Sequence, residues 1–130
     1  MTSDTWRLVT LDWDNFAWNK AYKIIKFIMN DRKDIEKITV FTSPNLDGWH
    51  IYINFDHWLD WSEVIMLRRK YRDDPQRVIN DLLKTNPEEK MILFQNKNGK
   101  KEKFYCEFWP QKYQMPDHVP SKIHSSMLGT

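Results

Sequence analysis

Polar and apolar residues alternate along two segments of this chain, and this alternation limits the possible folds more than any other feature. In the segment 49–55 the apolar positions are Trp49, Ile51, Ile53 and Phe55, and the positions between them are His50, Tyr52 and Asn54. In the segment 8–14 the apolar set is Val9, Leu11 and Trp13, and the alternate set is Leu8, Thr10, Asp12 and Asp14. A period of two predicts strands with one face in a core and the other face directed away from it.

Turn and helix signals divide the rest of the chain. Apolar residues at helical spacing predict a helix over 17–29, and a turn with Pro44 and Gly48 joins two strands into a hairpin. Asp60 with Glu63 forms a capping-box pattern, and Asp74 before Pro75 is typical of a second helix start. We predict strands at 6–13, 37–43, 49–55, 91–95 and 102–109, with a turn around Gly99 before the last one.

This order of elements indicates an α+β fold. Strand, helix, strand, strand, helix, strand is typical of a ferredoxin-like or RRM-like βαββαβ sandwich, here with an additional C-terminal strand. Such a sheet packs its helices on one face and leaves the other face open. We therefore expect a single α+β domain over 1–109 and an irregular or flexible C-terminal tail over 110–130, where prolines interrupt any periodicity.

Bulk composition excludes several classes of protein. The net charge of +2 excludes a strongly polycationic nucleic-acid binder, although a local basic groove stays possible. A single cysteine, Cys106, excludes an intramolecular disulfide framework and fits a reducing, cytoplasmic location. Because apolar runs are short and the N-terminus lacks a signal pattern, we expect a soluble protein without a membrane partner.

The facing of the strands assembles a candidate site. If the apolar sets share the core, Asp12, Asp14, His50, Tyr52 and Asn54 all project from the open face. The Cα atoms of Asp12 and Asp14 should lie roughly 7 Å apart. Two carboxylates at that separation repel by roughly 2 kcal/mol, which a cation would offset. The alternative is that both carboxylates are solvated at a strand end, where the repulsion is screened.

Residue chemistry suggests a role for each member of this face. Carboxylate ligands favour Mg²⁺ or Mn²⁺, with Asp12 and Asp14 as metal ligands and His50 as a donor to a phosphate oxygen. Tyr52 and Asn54 are candidates for contact with a base or nucleotide, and Arg68, Arg69 and Arg77 for contact with a phosphodiester backbone. Alternatively, the arginines form a solvated helix face, Arg77 pairs with Asp81, and Asp73 and Asp74 serve only as a helix cap.

Two short motifs resemble the catalytic core of archaeo-eukaryotic primase-polymerases. They are Asp12-Trp13-Asp14 at the end of the first strand and the Ser-x-x-x-x-Gly-x-His-x-Tyr pattern from Ser43 to Tyr52, within about a third of the chain. The resemblance implies that Asp12 and Asp14 hold catalytic metals and that His50 contacts the phosphates of an incoming nucleotide. The segments 69–81 and 92–97 also look like small archaeal and viral proteins of related pattern, without an assigned chemistry.

The chain departs from the primase pattern because it has no zinc-binding subdomain, because 130 residues is short for the complete enzyme, and because a third acid is not evident. Primase cores supply a third acid from a later strand, but the segment 91–95 contains none, and Asp56, Asp81 and Glu107 are the substitutes considered. Three functions stay open: metal-assisted nucleotidyl transfer in DNA replication or its non-catalytic remnant, a single-stranded nucleic-acid-binding module without catalysis, and a structural protein that forms a homodimer.

Overall fold

The computed structural model describes residues 5–93, 96–97 and 99–110, which form an α+β structure with a four-stranded antiparallel sheet and three α-helices. In chain order these elements are β1 (Thr5–Asp14), α1 (Trp18–Asp31), β2 (Ile35–Thr42), β3 (Gly48–Asp60), α2 (Trp61–Lys70), α3 (Pro75–Leu82), a 3₁₀ turn (Pro87–Glu89), β4 (Asn96–Lys97), β5 (Lys100–Lys101) and β6 (Lys103–Phe108).

The strands of the main sheet lie in the order β1-β3-β2-β6, and β4 and β5 form a separate two-stranded ribbon. The expected β2–β3 hairpin is confirmed, and β3 pairs antiparallel with both β1 and β2. In the β1–β3 register Leu11 lies opposite Ile51, and Asp12 lies opposite His50. Because directly paired residues face the same side of a sheet, the facing predicted from alternation is correct for both strands.

The hydrophobic core lies between one face of the sheet and helices α1 and α2. Ile25 and Ile28 of α1 and Val64 and Leu67 of α2 belong to one buried cluster with the apolar residues of the strands, which include Val9, Leu11, Trp13, Ile38, Val40, Ile51, Ile53 and Phe55. The indole Nε1 of Trp13 donates to the carbonyl oxygen of Tyr71, 2.9 Å away. The end of β1 is therefore fixed against the end of α2.

The opposite face is not fully open, and this part of the prediction is wrong. Thr10 and His50, which project from it, are both buried. The hydroxyl of Thr10 donates to the carbonyl oxygen of Met91 at 2.9 Å, and the guanidinium of Arg77 donates to the carbonyl oxygen of Thr10 at 3.0 Å. The chain after α2 thus folds around the outer edge of β1, whose unpaired backbone groups need partners. At the opposite edge of this face, on β6, Phe104 is 59% exposed.

The predicted helix starts are confirmed at α2 and α3. The side chain of Asp60 caps α2 by accepting from the N–H of Glu63, and Asp74 caps α3 ahead of Pro75. The predicted strand over 91–95 is wrong for 91–93, which form a turn and irregular chain, while residues 94 and 95 lie outside the described residues. The tail beyond residue 110 also lies outside them.

Candidate metal and phosphate site

Three carboxylates converge at the C-terminal end of β1. Asp12, Asp14 and Asp74 each offer one oxygen, and these oxygens all lie within 4.8 Å of one another. Asp12 and Asp14 come together because they are two residues apart in a strand, as the sequence predicts. Asp74 is the N-cap residue before α3, whereas the primase resemblance implies a third acid on a later strand. We refer to these three residues as the acidic cluster.

Asp73 brings α3 to the end of β1. Its Oδ1 accepts hydrogen bonds from the backbone N–H groups of Asp12 and Asp74, both at 2.9 Å. One buried oxygen therefore joins the edge of the sheet to the start of the helix. Asp74 accepts from the N–H of Gln76 at 3.1 Å, so its predicted capping role is confirmed. No local pattern predicts that the same side chain also joins the acidic cluster.

Two arginines hold Asp73 in this position. The Nε of Arg68 lies 2.6 Å from Asp73 Oδ2, and Nη1 of Arg77 lies 2.9 Å from the same oxygen. Arg68 also pairs with Asp81 at 2.9 Å, and its side chain is fully buried. The structure thus corrects the prediction that Arg68 and Arg77 contact a phosphodiester backbone, because both guanidinium groups are engaged inside the protein. Arg77 pairs with Asp73 instead of the expected Asp81.

The negative charge of Asp12 is unfavourable in its surroundings. Its Oδ1 is buried and has no hydrogen-bond partner among the residues that the structure describes. Burial, followed by the nearby charge of Asp14, raises the pKa of Asp12 to about 7, while Arg77 acts in the opposite direction. A buried carboxylate without a partner is unfavourable unless a proton or a cation compensates its charge.

His50 lies beside the acidic cluster, as predicted, but it is buried. Its Nε2 is 3.8 Å from Asp12 Oδ1, and its Nδ1 is 2.8 Å from Glu102 Oε1. The hydroxyl of Tyr52 donates to the same carboxylate at 2.9 Å. Sequence reasoning missed Glu102, because 52 residues separate it from His50 and no local pattern connects the two.

The remaining predicted site residues lie farther from the cluster. Tyr52 is half-buried, with an edge contact to Phe41 at a centroid distance of 5.4 Å. Phe41 makes a similar contact with Phe104 at 5.9 Å. Asn54 is half-buried two residues beyond Tyr52, and Arg69 is exposed on α2, so their nucleotide contacts stay predictions.

One row of side chains crosses the face from the acidic cluster to the far edge. Asp12 pairs with His50, His50 with Phe41, and Phe41 with Phe104 across the four strands. Since strands are spaced about 4.8 Å apart, this row spans roughly 14 Å. It places carboxylates at one end, an imidazole next to them and an exposed aromatic ring at the other end.

The oxygen-only donor set determines which cation would fit. Three carboxylates suit a hard cation such as Mg²⁺ or Mn²⁺, which binds through a few carboxylates and keeps positions for water and phosphate. Zn²⁺ would require more nitrogen or sulfur ligands, and the described part of the chain offers only His50 nearby. The orphaned oxygen of Asp12 gives such a cation a ligand that no protein donor already occupies.

Fold and site together define an α+β protein with a carboxylate cluster at one edge of its sheet. The chain matches no family model, no curated protein and no solved structure, so its function has to be inferred from this geometry. Among the described helices, none is long and apolar enough to cross a membrane.

Proposed function

We propose that this protein binds Mg²⁺ or Mn²⁺ through Asp12, Asp14 and Asp74 and uses the cation to hold the phosphates of a nucleotide for nucleotidyl transfer. The convergence of three carboxylate oxygens within 4.8 Å, together with the buried Asp12 Oδ1, which has no hydrogen-bond partner among the described residues, carries this proposal. The resemblance of the two motifs to primase-polymerase cores supports it. A ferredoxin-like arrangement would be compatible with it: α1 joins β1 to β2 and β3 lies between them as in that fold, but β6 lies beside β2 and not beside β1.

Charge compensation supports a cation at this position. The three carboxylate oxygens lie within 4.8 Å of one another, where like charges repel. Burial, followed by the charge of Asp14, raises the pKa of Asp12 to about 7. Arg77 lies nearby, but Asp73 and Thr10 already engage its guanidinium. A divalent cation would neutralise charge that the described protein groups leave uncompensated.

His50 and a short basic segment fit the phosphates of a ligand. Nε2 of His50 faces the acidic cluster, and 95% of the imidazole side chain is buried, which holds it in one orientation. Lys100 and Lys101 are exposed on β5, directly before Glu102, the residue that contacts His50. Ammonium groups next to a metal are suited to the non-bridging oxygens of a polyphosphate, and an imidazole nitrogen is suited to a water bound to that metal.

Phe104 supports a nucleotide in preference to inorganic polyphosphate. Its ring is exposed on the same face, three strands from the acidic cluster. A base could stack on this ring while the phosphates reach His50 and the cation, because aromatic rings stack on bases with little regard to sequence. The same face offers less to an RRM-like binding mode, since the Tyr52 hydroxyl is engaged by Glu102 and the half-buried ring packs against Phe41.

The residues of this chain would act mainly by positioning. In nucleotidyl transfer a hydroxyl oxygen bonds to the α-phosphorus, and the bond from that phosphorus to pyrophosphate breaks. The acidic cluster would hold the cation, which supplies charge neutralisation at the transferring phosphoryl group. Nε2 of His50 would accept a hydrogen bond from a water bound to the cation, and Phe104 would fix the base.

Cation binding is the first test. Titration of the purified protein with Mn²⁺, followed by calorimetry and by the electron paramagnetic resonance signal of free Mn²⁺, should show a site that Asp12→Asn, Asp14→Asn and Asp74→Asn each weaken at least tenfold. Asp56→Asn is the matched control, because Asp56 is an exposed carboxylate six residues beyond His50 on β3. If the Asp56 variant loses as much affinity as the cluster variants, the binding is non-specific and the proposal fails.

Nucleotide binding and transfer form the second test. In the presence of Mn²⁺, Phe104→Ala should weaken the binding of ATP by roughly 1–3 kcal/mol and leave the binding of tripolyphosphate unchanged. Extension of a primed template with labelled nucleotides should depend on Mn²⁺ or Mg²⁺ and disappear in Asp12→Asn. Binding of the nucleotide without any extension would restrict the proposal to a non-catalytic remnant.

A further inference from the structure

Glu102 engages two side chains of the candidate site at once. Its Oε1 lies 2.8 Å from Nδ1 of His50, and both of its oxygens accept from the hydroxyl of Tyr52, at 2.9 and 3.0 Å. The exposed fractions of the His50 and Glu102 side chains are 5% and 9%. This contact is therefore largely protected from water, which would otherwise compete for the same hydrogen bonds.

We propose that Glu102 is a positioning residue that fixes the hydrogen of His50 on Nδ1 and so presents Nε2 to the acidic cluster. The proposal rests on the function proposed above, because that function supplies the ligand for Nε2. A carboxylate without a proton can only accept hydrogen bonds, so the ring nitrogen facing it must be the donor. Which imidazole nitrogen carries the hydrogen is set by the hydrogen bond of the other one.

The position of Nε2 fits this assignment. It is 3.8 Å from Asp12 Oδ1, which is too long for a hydrogen bond. Both atoms are acceptors in this arrangement, so a metal-bound water that lies between or beside them can donate a hydrogen bond to each. Carboxylates that orient a histidine from its second nitrogen recur in metal sites, and their removal lowers affinity or activity about 10- to 100-fold.

Glu102 could also have a purely structural role, which would consist of satisfying the Tyr52 hydroxyl and holding the start of β6 on the sheet. The two roles differ in what they predict for the histidine. If the role is structural, the tautomer of His50 does not depend on the Glu102 carboxylate. If Glu102 positions the ring, the tautomer depends on Glu102 and not on Tyr52. Tyr52→Phe is thus the matched control, since it removes the hydroxyl and keeps the ring.

Nitrogen-15 NMR of the histidine ring tests the assignment without metal or nucleotide. Long-range proton–nitrogen spectra of the metal-free protein should show His50 with hydrogen on Nδ1, unchanged in Tyr52→Phe. In Glu102→Ala the tautomer with hydrogen on Nε2 should become populated, and Glu102→Leu, which also removes the acceptor, should show the same change if the alanine variant does not fold. A wild-type protein with hydrogen on Nε2 alone, or an unchanged spectrum in the folded Glu102 variant, overturns the proposal.

The second readout is coupling between Glu102 and His50. Glu102→Gln and His50→Ala should each lower Mn²⁺-dependent nucleotide affinity or transfer rate about tenfold, and the double variant should lose little more than either single variant. Glu107→Gln is the control, because Glu107 lies on β6, which directly follows Glu102, but contacts Lys37 and Trp109. Fully additive losses would contradict action through His50. If Asp12→Asn leaves Mn²⁺ binding intact, the proposed function fails while the tautomer result still stands.

Discussion

Gly48 allows the two strands that carry the candidate site to approach closely. It begins β3 opposite Asp14, and a Cβ atom at this position would overlap the carbonyl oxygen of Trp13. The neighbouring atoms belong to backbone and cannot move as the end of a side chain can. The glycine of the Gly-x-His motif is thus required by packing between strands, two residues before His50.

Gly48→Ala should therefore lower the free energy of unfolding by about 1–3 kcal/mol, the usual cost of inserting a methyl group into a filled space. Urea denaturation followed by circular dichroism measures the change. Gly99→Ala is a control of a different kind, because Gly99 has a φ of 78° but an added Cβ would meet no atom within 4 Å. This control should cost about 1 kcal/mol from the backbone conformation alone. A Gly48 variant as stable as the wild type would contradict the close packing.

At the junction of α1, β2 and β3, Asp34 forms the contacts that connect these elements. Its two oxygens accept from Nε and Nη2 of Arg32 at 2.9 and 2.6 Å, and Nε2 of His57 lies 2.6 Å from Oδ2. The hydrogen bonds from Arg32 are the main reason why the pKa of Asp34 falls to about 2. A carboxylate with a lowered pKa stabilises the folded state above its ordinary pKa and loses that contribution as the pH falls towards the folded value.

Asp34→Asn should accordingly cost about 1 kcal/mol at pH 7, after allowance for solvent screening of a partly exposed pair. The difference between wild type and variant should persist down to about pH 4 and shrink as the pH approaches 2. Chemical denaturation at pH 7, 4 and 2.5 gives the three differences in free energy. A difference that stays constant over this range would show that Asp34 acts through its shape and not its charge.

Asp73 links the edge of β1 to the start of α3, and it accepts from two backbone N–H groups and two arginines. Asp73→Asn would leave Arg68 and Arg77 buried without their shared counter-charge. Removing one partner of a buried ion pair typically costs about 3–5 kcal/mol. We expect a loss of this size in denaturation experiments, with Asp56→Asn as the control that changes little.

The same variant should also weaken Mn²⁺ binding, although Asp73 is not a member of the acidic cluster. Its loss frees the start of α3, and Asp74 then loses its fixed distance from Asp12 and Asp14. A folded Asp73→Asn protein with unchanged Mn²⁺ affinity would show that Asp74 does not depend on this link. Calorimetry below the unfolding temperature of the variant separates this effect from its lower stability.

The parts of the molecule that were predictable are those with a local signal. Alternation fixed the facing of β1 and β3, which brought Asp12 and His50 opposite each other in the structure. Short-range capping patterns located the starts of α2 and α3 at Asp60 and Asp74. In each case the physical cause acts between residues a few positions apart, so a single sequence contains it.

The unpredicted parts depend on contacts between distant segments. The link from Asp12 to Asp73 spans 61 positions, and the pair of His50 with Glu102 spans 52. A helical run of charges such as 68–77 is usually solvated, and the pattern alone does not reveal that Arg68 is buried between two aspartates. The partial burial of the sheet face opposite the core was unpredictable for the same reason. Met91 and α3 contact β1 through tertiary structure, and no short-range pattern predicts those contacts.

For the molecule as a whole, the Asp12 carboxylate should therefore lower the stability of the metal-free protein, although the proposed function requires it. Asn keeps the size of the side chain but removes the charge of a half-buried carboxylate that lies close to Asp14 and whose Oδ1 has no hydrogen-bond partner among the described residues. With EDTA present at pH 8, Asp12→Asn should be more stable than the wild type by about 1–2 kcal/mol, a value reduced for partial exposure. Because the folded pKa of about 7 lies above the ordinary value, the advantage should be largest above pH 7 and shrink as the pH falls towards 4.

Saturating Mn²⁺ should reverse this order of stability. A cation that binds only the folded wild type adds about 2.7 kcal/mol at a hundredfold excess over its Kd, whereas Asp12→Asn lacks a ligand and gains little. Denaturant titrations of both proteins, with EDTA and with Mn²⁺, measure the four free energies that this comparison needs. A variant less stable than the wild type even without metal would mean that the Asp12 carboxylate is compensated within the fold, and the electrostatic argument for a cation would then be lost.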